Sequence, residues 1–315
     1  MAEIYTAHMA TGREDWLEFR TKGIGGSDAA AAIGVSRYRS PLDLWCEKTG
    51  RVEPKDISEE PAVKWGLILE APIAVYFAVH HPELTVLNWP ATLVSNDHPF
   101  MVANLDRVID DEEGNRGILE IKTTGQYMVS DWDEGVPLEY YTQVSHYLAV
   151  TGYSFVWVAV LIGGRDYREY RLERDDEDIA RLIELEEAFW QMVIDDVMPE
   201  VTGADDEGHA LSTLYSPDNG EIISIEGELE RAIYDYIEAT DALKRAQGEK
   251  DFAASRIKAQ LAQNKGAENM TLKVMWYRLQ ETRFDKDRFE ADHPEIYSQY
   301  LTVKPKDGGI RIKEK

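Results

Sequence analysis

The chain has 315 residues, 43% hydrophobic and 10% aromatic, with 34 basic and 59 acidic side chains and a formal net charge of −25. That is ample apolar material for a packed core and argues against a disordered chain. A single cysteine, Cys46, excludes an internal disulfide framework and any four-cysteine zinc or iron–sulfur site within one chain; it reads as a small buried hydrophobe.

In chain order, residues 13–22 read as a short helix with Trp16, Leu17 and Phe19 apolar. Gly23-Ile24-Gly25-Gly26-Ser27-Asp28 is a glycine-rich turn, and Ser27 or Asp28 is expected to cap an alanine-rich helix over 29–33. Ser40-Pro41 opens a helix that ends at Gly50. The spacing of Val63, Leu67, Ala71, Ala74 and Phe77 predicts a longer helix over 61–80. Strands are expected near 84–89, 91–95, 100–110, 117–123, 154–162 and 166–172, interrupted by a helix at 137–150. Residues 175–198 read as an acidic amphipathic helix and 200–224 as loop-rich. A long helical stretch over 226–263, with a possible break near Gly248, closes at Lys265-Gly266. A strand at 271–279, a helix at 285–300 and a hairpin at 301–313 complete the chain. This mixture argues for an α/β or α+β sandwich.

No apolar run approaches the about 20 residues needed to cross a bilayer. Residues 1–20 lack a basic-then-apolar signal pattern, so a cytoplasmic chain with no membrane partner is expected. The acid is uneven. Residues 173–228 carry 2 basic and 18 acidic groups, whereas 229–315 carry 17 and 15. Overall charge therefore does not exclude nucleic acid, because a local basic track remains possible outside the acidic block.

The segment that carries chemistry is Asn104-Leu105-Asp106 followed by Gly117-Ile118-Leu119-Glu120-Ile121-Lys122. In a strand, Glu120 and Lys122 share one face while Leu119 and Ile121 share the other. Hairpin pairing can bring Asp106 beside Glu120. Two facing carboxylates repel unless a divalent cation lies between them, and an oxygen-lined site suits Mg²⁺ or Mn²⁺. Glu70, in the apolar context Leu67-Ile68-Leu69-Glu70-Ala71-Pro72, is a further candidate ligand. The plainer reading of Glu-x-Lys is a surface pair on a sheet.

These motifs together resemble the YqaJ-like viral recombinase family, relatives of phage lambda exonuclease within the PD-(D/E)xK nuclease fold. The resemblance rests on four blocks over about residues 13–172. These are Arg20 with the 23–28 turn and Leu44 to Gly50, Trp65-Gly66 through Glu70, Asp106 with Glu120-Ile121-Lys122, and Gln143 to Leu148 ending in Thr151-Gly152. It implies a restriction-endonuclease-like core, a central mixed β-sheet flanked by helices. The core is expected over 1–225, with a helical and β-hairpin extension over 226–315 packed on it.

The resemblance also implies a Mg²⁺-dependent 5′→3′ exonuclease on linear double-stranded DNA, Mn²⁺ substituting. Its 3′ single-stranded product would be passed to a strand-annealing protein. A ring-shaped homo-oligomer, a trimer by preference, and a phage or prophage origin in a bacterial host are further implications. By position, Asp106 and Glu120 match the metal-binding acids, Ile121 a carbonyl ligand, Lys122 the catalytic lysine, Glu70 the helix-borne acid and Gln143 the glutamine beside the metal site. Arg20 and Ser27 match positions that bind DNA phosphate, including the 5′-terminal one. Leu105 stands where the proline that names the fold would be. The alternatives are a structure-specific or single-strand nuclease of the same fold, and a non-catalytic DNA-binding or DNA-mimicking regulator.

Other residues carry plainer readings. His146 reads as a structurally satisfied histidine and His80-His81 as a helix end. Trp65 reads as packing, with base stacking as the sharper alternative. Tyr140, Tyr141 and Tyr147 read as core. Lys244, Arg245, Lys250, Arg256 and Lys258 give the long helix a basic side, either solvated charge or a DNA track. The acidic block is expected on an outer surface.

Overall fold

The computed structural model describes residues 4–9, 19–54, 56–279, 282–302 and 309–313. The chain divides into two compact units, Met1–Pro217 and Asp218–Lys315.

The first unit runs β1 (Tyr5–His8), β2 (Ile24–Gly25), α1 (Gly26–Ala32), α2 (Pro41–Lys48), α3 (Pro61–His80), β3 (Thr85–Leu87), β4 (Thr92–Ser95), β5 (Met101–Asn104), β6 (Arg107–Asp110), β7 (Arg116–Thr124), a 3₁₀ segment (Gln126–Trp132), α4 (Leu138–Thr151), β8 (Phe155–Ile162), β9 (Asp166–Glu173), α5 (Asp176–Ile194) and α6 (Glu207–Leu214). Two sheets form, in the orders β1-β4-β5-β2 and β3-β6-β7-β8-β9. In the larger sheet β7 and β8 run parallel and every other pair antiparallel, with α4 as the crossover. It is a mixed sheet flanked by helices, as the family resemblance implies.

The period-two pattern of β7 assigns its neighbours. Ile118 joins Val144, Leu148, Val156 and Val158 on the α4 side. Leu119 and Ile121 join Ile73, Ala74 and Phe77 of α3 on the other side. A third cluster packs α1 and α2 against Phe189 and Ala210, and holds Cys46 fully buried.

Several expectations need correction. The single strand over 100–110 is two strands in two sheets, β5 and β6, divided at Leu105-Asp106. Strand β1 was not anticipated. Helix α1 begins at Gly26, so Ser27 and Asp28 lie inside its first turn; Asp28, at its third position, still caps it by accepting the Gly25 backbone N–H at 3.3 Å, and Ser27 does not. The loop-rich 200–224 includes one short helix, α6, whose preceding Asp206 accepts from the Ser40 backbone N–H at 2.8 Å and hydroxyl at 3.1 Å. By length and composition alone α3 could cross a bilayer, a signal that reading run by run passes over. Its Ile73, Ala74 and Phe77 are instead buried on the sheet and its Glu70 is ion-paired. Of the expected helix at 13–22, residues 13–18 lie outside the described residues, and 19–21 are helical.

The second unit contains α7 (Glu228–Leu261), a hairpin of β10 (Gly266–Glu268) and β11 (Lys273–Met275), α8 (Lys286–Asp292) and α9 (Pro294–Gln299). Helix α7 runs unbroken through Gly248. A mid-helix glycine costs about 1 kcal/mol, and the strong helix formers around it offset that. The helix expected at 285–300 is two helices meeting at Pro294, which takes the first-turn position where its missing N–H costs nothing. Of the expected hairpin over 301–313, residues 303–308 lie outside the described residues, and 309–313 form no strand.

Candidate active site

Asp106 occupies the two-residue link between β5 and β6, where the chain leaves one sheet for the other. Arg107 pairs with Leu119 across β6 and β7, so Asp106 falls beside Glu120 as hairpin pairing suggests. Its Oδ2 accepts the Ile121 backbone N–H at 2.7 Å. Burial and the neighbouring Glu120 carboxylate push the Asp106 carboxyl well above the usual range, against the pull of the Ile121 N–H and of Lys122.

Glu120 is 2% exposed. Its Oε1 receives two donors, Lys122 Nζ at 2.7 Å and Gln143 Nε2 at 2.8 Å. Lys122 Nζ also donates to Gln143 Oε1 at 2.8 Å. These three residues form a closed triangle, with the strand's alternation supplying two corners and α4 the third. The other carboxylate oxygen, Glu120 Oε2, is buried with no hydrogen-bond partner. A buried, unpaired carboxylate oxygen beside a second carboxylate is electrostatically costly, and a divalent cation is the ligand that relieves both terms.

The expected ligand set is only partly assembled. Glu70 lies near enough to raise Asp106 electrostatically, yet its carboxylate is ion-paired with Arg107, whose guanidinium also donates to the Asp106 carbonyl. Among the described residues, no group of three or more His, Cys, Asp or Glu side chains converges as a metal centre. The donor set that fits a cation is therefore Asp106 with Glu120, and Arg107 is the residue that sets where Glu70 points.

Arg20 and Ser27 do meet: Arg20 Nη2 donates to Ser27 Oγ at 3.1 Å. Under them lies Asp28, 3% exposed, whose Oδ2 takes Lys48 Nζ at 2.7 Å and the Gly25 N–H at 3.3 Å. Burial alone would raise its carboxyl; Lys48, Arg20 and Arg39 outweigh burial and hold it below the ordinary value. Asp28 thus fixes the cations of this corner while Ser27 stays exposed above it.

The two sets are joined by Tyr147, which sequence reasoning left as core. Its hydroxyl accepts from Gln143 Nε2 at 3.0 Å. Its ring lies so close to Gly26 that a Cβ there would stand 2.2 Å from Cε1. Burial, then the Glu120 and Asp106 charges, push its hydroxyl well above the usual range. The Gln143–Tyr147 spacing of four on one helix was the readable signal. Tyr140 was also missed: its ring lies 4.9 Å from Lys122 Nζ and stacks on Trp132 at 5.4 Å. That spacing suits cation–π support of the ammonium.

The remaining candidates resolve simply. His146 is fully buried, with Nε2 at 2.9 Å from the Val102 carbonyl and Nδ1 at 2.9 Å from Glu186. Both partners are acceptors, so the ring must present two N–H groups. Burial opposes the charge; Glu186 outweighs it and raises the imidazole. Glu186 comes from the acidic block, which is therefore not wholly an outer surface. His80 ends α3 and His81 follows it, held by Glu83 and Glu169. Trp65, on α3, is 60% exposed and so is not core packing.

Residues 15–154 match the model of the YqaJ-like viral recombinase domain. An uncharacterized protein YqaJ of Bacillus subtilis (strain 168) is 30% identical over 303 residues, covering 95% of this chain and 93% of the relative. Among solved structures, an alkaline exonuclease from Laribacter hongkongensis, LHK-Exo, superposes with a TM-score of 0.49 at 20% identity, covering 58% of this chain and 94% of that one. The same enzyme in complex with dAMP gives the same values.

Proposed function

The chain belongs to the YqaJ-like viral recombinase family, and on that premise we propose that it is a divalent-metal-dependent 5′→3′ exonuclease. It acts on linear double-stranded DNA and leaves 3′ single-stranded tails for recombination by strand annealing. The observation that carries this reading is the unpartnered Glu120 Oε2, buried beside Asp106 and bracketed by Lys122 and Gln143.

Asp106 and Glu120 would hold the cation, Mg²⁺ with Mn²⁺ as a substitute; the Ile121 carbonyl would be a further oxygen, and Glu70 another only once released from Arg107. A cation held there would supply polarisation of a phosphoryl oxygen and a water of lowered pKa. Gln143 anchors the Glu120 carboxylate and the Lys122 ammonium, so neither rotates away. Lys122 offers its ammonium to the charge that develops on the scissile phosphate. Tyr140 limits the sweep of that side chain from below. Arg20 and Ser27 bind the 5′-terminal phosphate, and that anchor sets the polarity. A ring-shaped homo-oligomer, trimeric by preference, a strand-annealing partner and a cytoplasmic site of action in a bacterial host are parts of the same proposal.

The test is incubation with linear duplex DNA labelled at either end, with and without a 5′-phosphate, in Mg²⁺ and in EDTA. The expected result is metal-dependent release of 5′-end nucleotides, faster with the phosphate. Internal cutting or the opposite polarity would retain the nuclease and remove the recombination role. A folded protein that cuts nothing in Mg²⁺ or Mn²⁺ would end the proposal.

A further inference from the structure

Helix α7 spans 34 residues, about 51 Å at the α-helical rise. Among the described residues of the second unit, Leu261 at its end is the one buried side chain. The rest of the helix is exposed or half-exposed, yet its sequence is not that of a solvated helix. Positions 229, 233, 236, 240, 243, 247, 250, 254 and 257 alternate by four and three, the spacing of a coiled-coil seam over four heptads. Six of the nine are apolar: Leu229, Ile233, Tyr236, Leu243, Ala254 and Ile257. Leu243 is 71% exposed and Ile257 47%. One flank of the seam repeats alanine at every seventh place, Ala232, Ala239, Ala246 and Ala253, which lets a second helix approach closely.

Charge selects the occupant. Residues 228–243 carry five acids against one base, and 244–261 carry five bases against two acids. A second α7 laid parallel would set Lys250 on Lys250 inside the seam. Laid antiparallel, Lys250 faces Thr240 of the partner subunit, the seam-flanking Glu230 lies beside Lys258 of the partner subunit, each acidic half runs along a basic half at the cost of one like-charge contact between the two copies of Lys244, and the apolar ends of the seam still meet. The polar seam residues Thr240, Gln247 and Lys250 then fall together in the middle, where polar seam residues set register.

We propose that α7 is the interface for a second copy of this chain, paired antiparallel about a two-fold axis close to residue 245. In this register Ile233 meets Ile257 of the partner subunit, and Ala246 lies against Ala246 of the partner subunit. The contact is isologous, since the same surface serves both copies. A two-fold contact does not close a three-fold ring, so it would join a protomer of one ring to a protomer of another, and it is independent of the nuclease assignment.

The test uses the full-length protein with single cysteines on α7 and a short bismaleimide; native Cys46 is buried, and the protein without an added cysteine is the control. Ala246→Cys alone should cross-link to a dimer, as should a mixture of Ile233→Cys and Ile257→Cys proteins. Ile233→Cys alone should not, because the two copies of residue 233 stand about 36 Å apart in this register. Leu243→Glu, at an exposed position, should abolish the Ala246→Cys product and lower the mass measured by light scattering. Efficient self-linking of Ile233→Cys would overturn the antiparallel arrangement. Absence of every cross-link, with no change of mass in Leu243→Glu, would overturn the pairing and leave the face to another segment of the chain or to DNA.

Discussion

The two units use charge in opposite ways. In the first, Asp28, Lys48, Glu120, His146, Glu186 and Glu207 are all buried, and each has a specific partner. In the second, charge lies on the outside of a long helix that has almost no core to cover. Helical stability in proteins comes mainly from packing of an apolar face, and among the described residues of α7 only Leu261 is buried. A buried charge in one unit marks chemistry or a fixed joint; patterned charge in the other marks a surface that chooses what it meets.

The contrast is sharpest at Lys122. Lys122→Ala is expected to lower nuclease turnover by about 10²–10³-fold, the cost of losing one aimed donor to developing charge. The fold should be kept, because the lysine is part-exposed and removes no core. Turnover on 5′-labelled duplex, with circular dichroism as the control, measures it, and a wild-type rate would remove Lys122 from the mechanism.

Next is the His146–Glu186 pair. Removing one partner of a buried ion pair costs about 3–5 kcal/mol, so His146→Gln should shift the urea midpoint strongly at mildly acidic pH. The imidazole is raised in the folded state above its ordinary value of about 6.5. Its contribution is therefore complete below that value and is lost as pH climbs through the folded-state value. The gap between wild type and variant should narrow steadily toward alkaline pH. A gap independent of pH would mean that the histidine is held neutral.

Gly26→Ala follows. The added methyl would overlap the Tyr147 ring, and overpacking of this kind costs about 1–3 kcal/mol. The same change should slow cutting of 5′-phosphorylated ends, because Tyr147 joins that turn to Gln143. Unaltered stability and end preference would show that the contact is slack. Smallest of all is Phe252→Ser on α7, 67% exposed and off the seam, expected to change unfolding free energy by less than about 0.5 kcal/mol. A loss above 1 kcal/mol by urea unfolding would show that the second unit has a core after all.

What could be read beforehand follows physical reach. The face shared by Glu120 and Lys122 is a property of one strand, and α4 declared itself by Pro137 and Gly152 at its ends. The division at Asp106 was hidden because apolar residues continue on both sides of it; a periodic pattern does not record that a strand changes sheet. Arg107 drawing Glu70 aside is likewise a long-range contact, 37 residues apart, with no local signature. Helix α1 starting on a glycine defies propensity, and its reason is Tyr147, over a hundred residues away. By contrast, the four-residue spacing from Gln143 to Tyr147 lay open on one helix face and was passed over as core.

The position of Asp106 has a mechanical side. The residue is the hinge pin between the four-stranded and five-stranded sheets, with one carboxylate oxygen already tied to the backbone of β7. Whatever draws Asp106 and Glu120 together also clamps one sheet to the other. Loading the site should therefore slow amide hydrogen exchange well away from it, along β4 and β5, as though a latch had closed between two leaves.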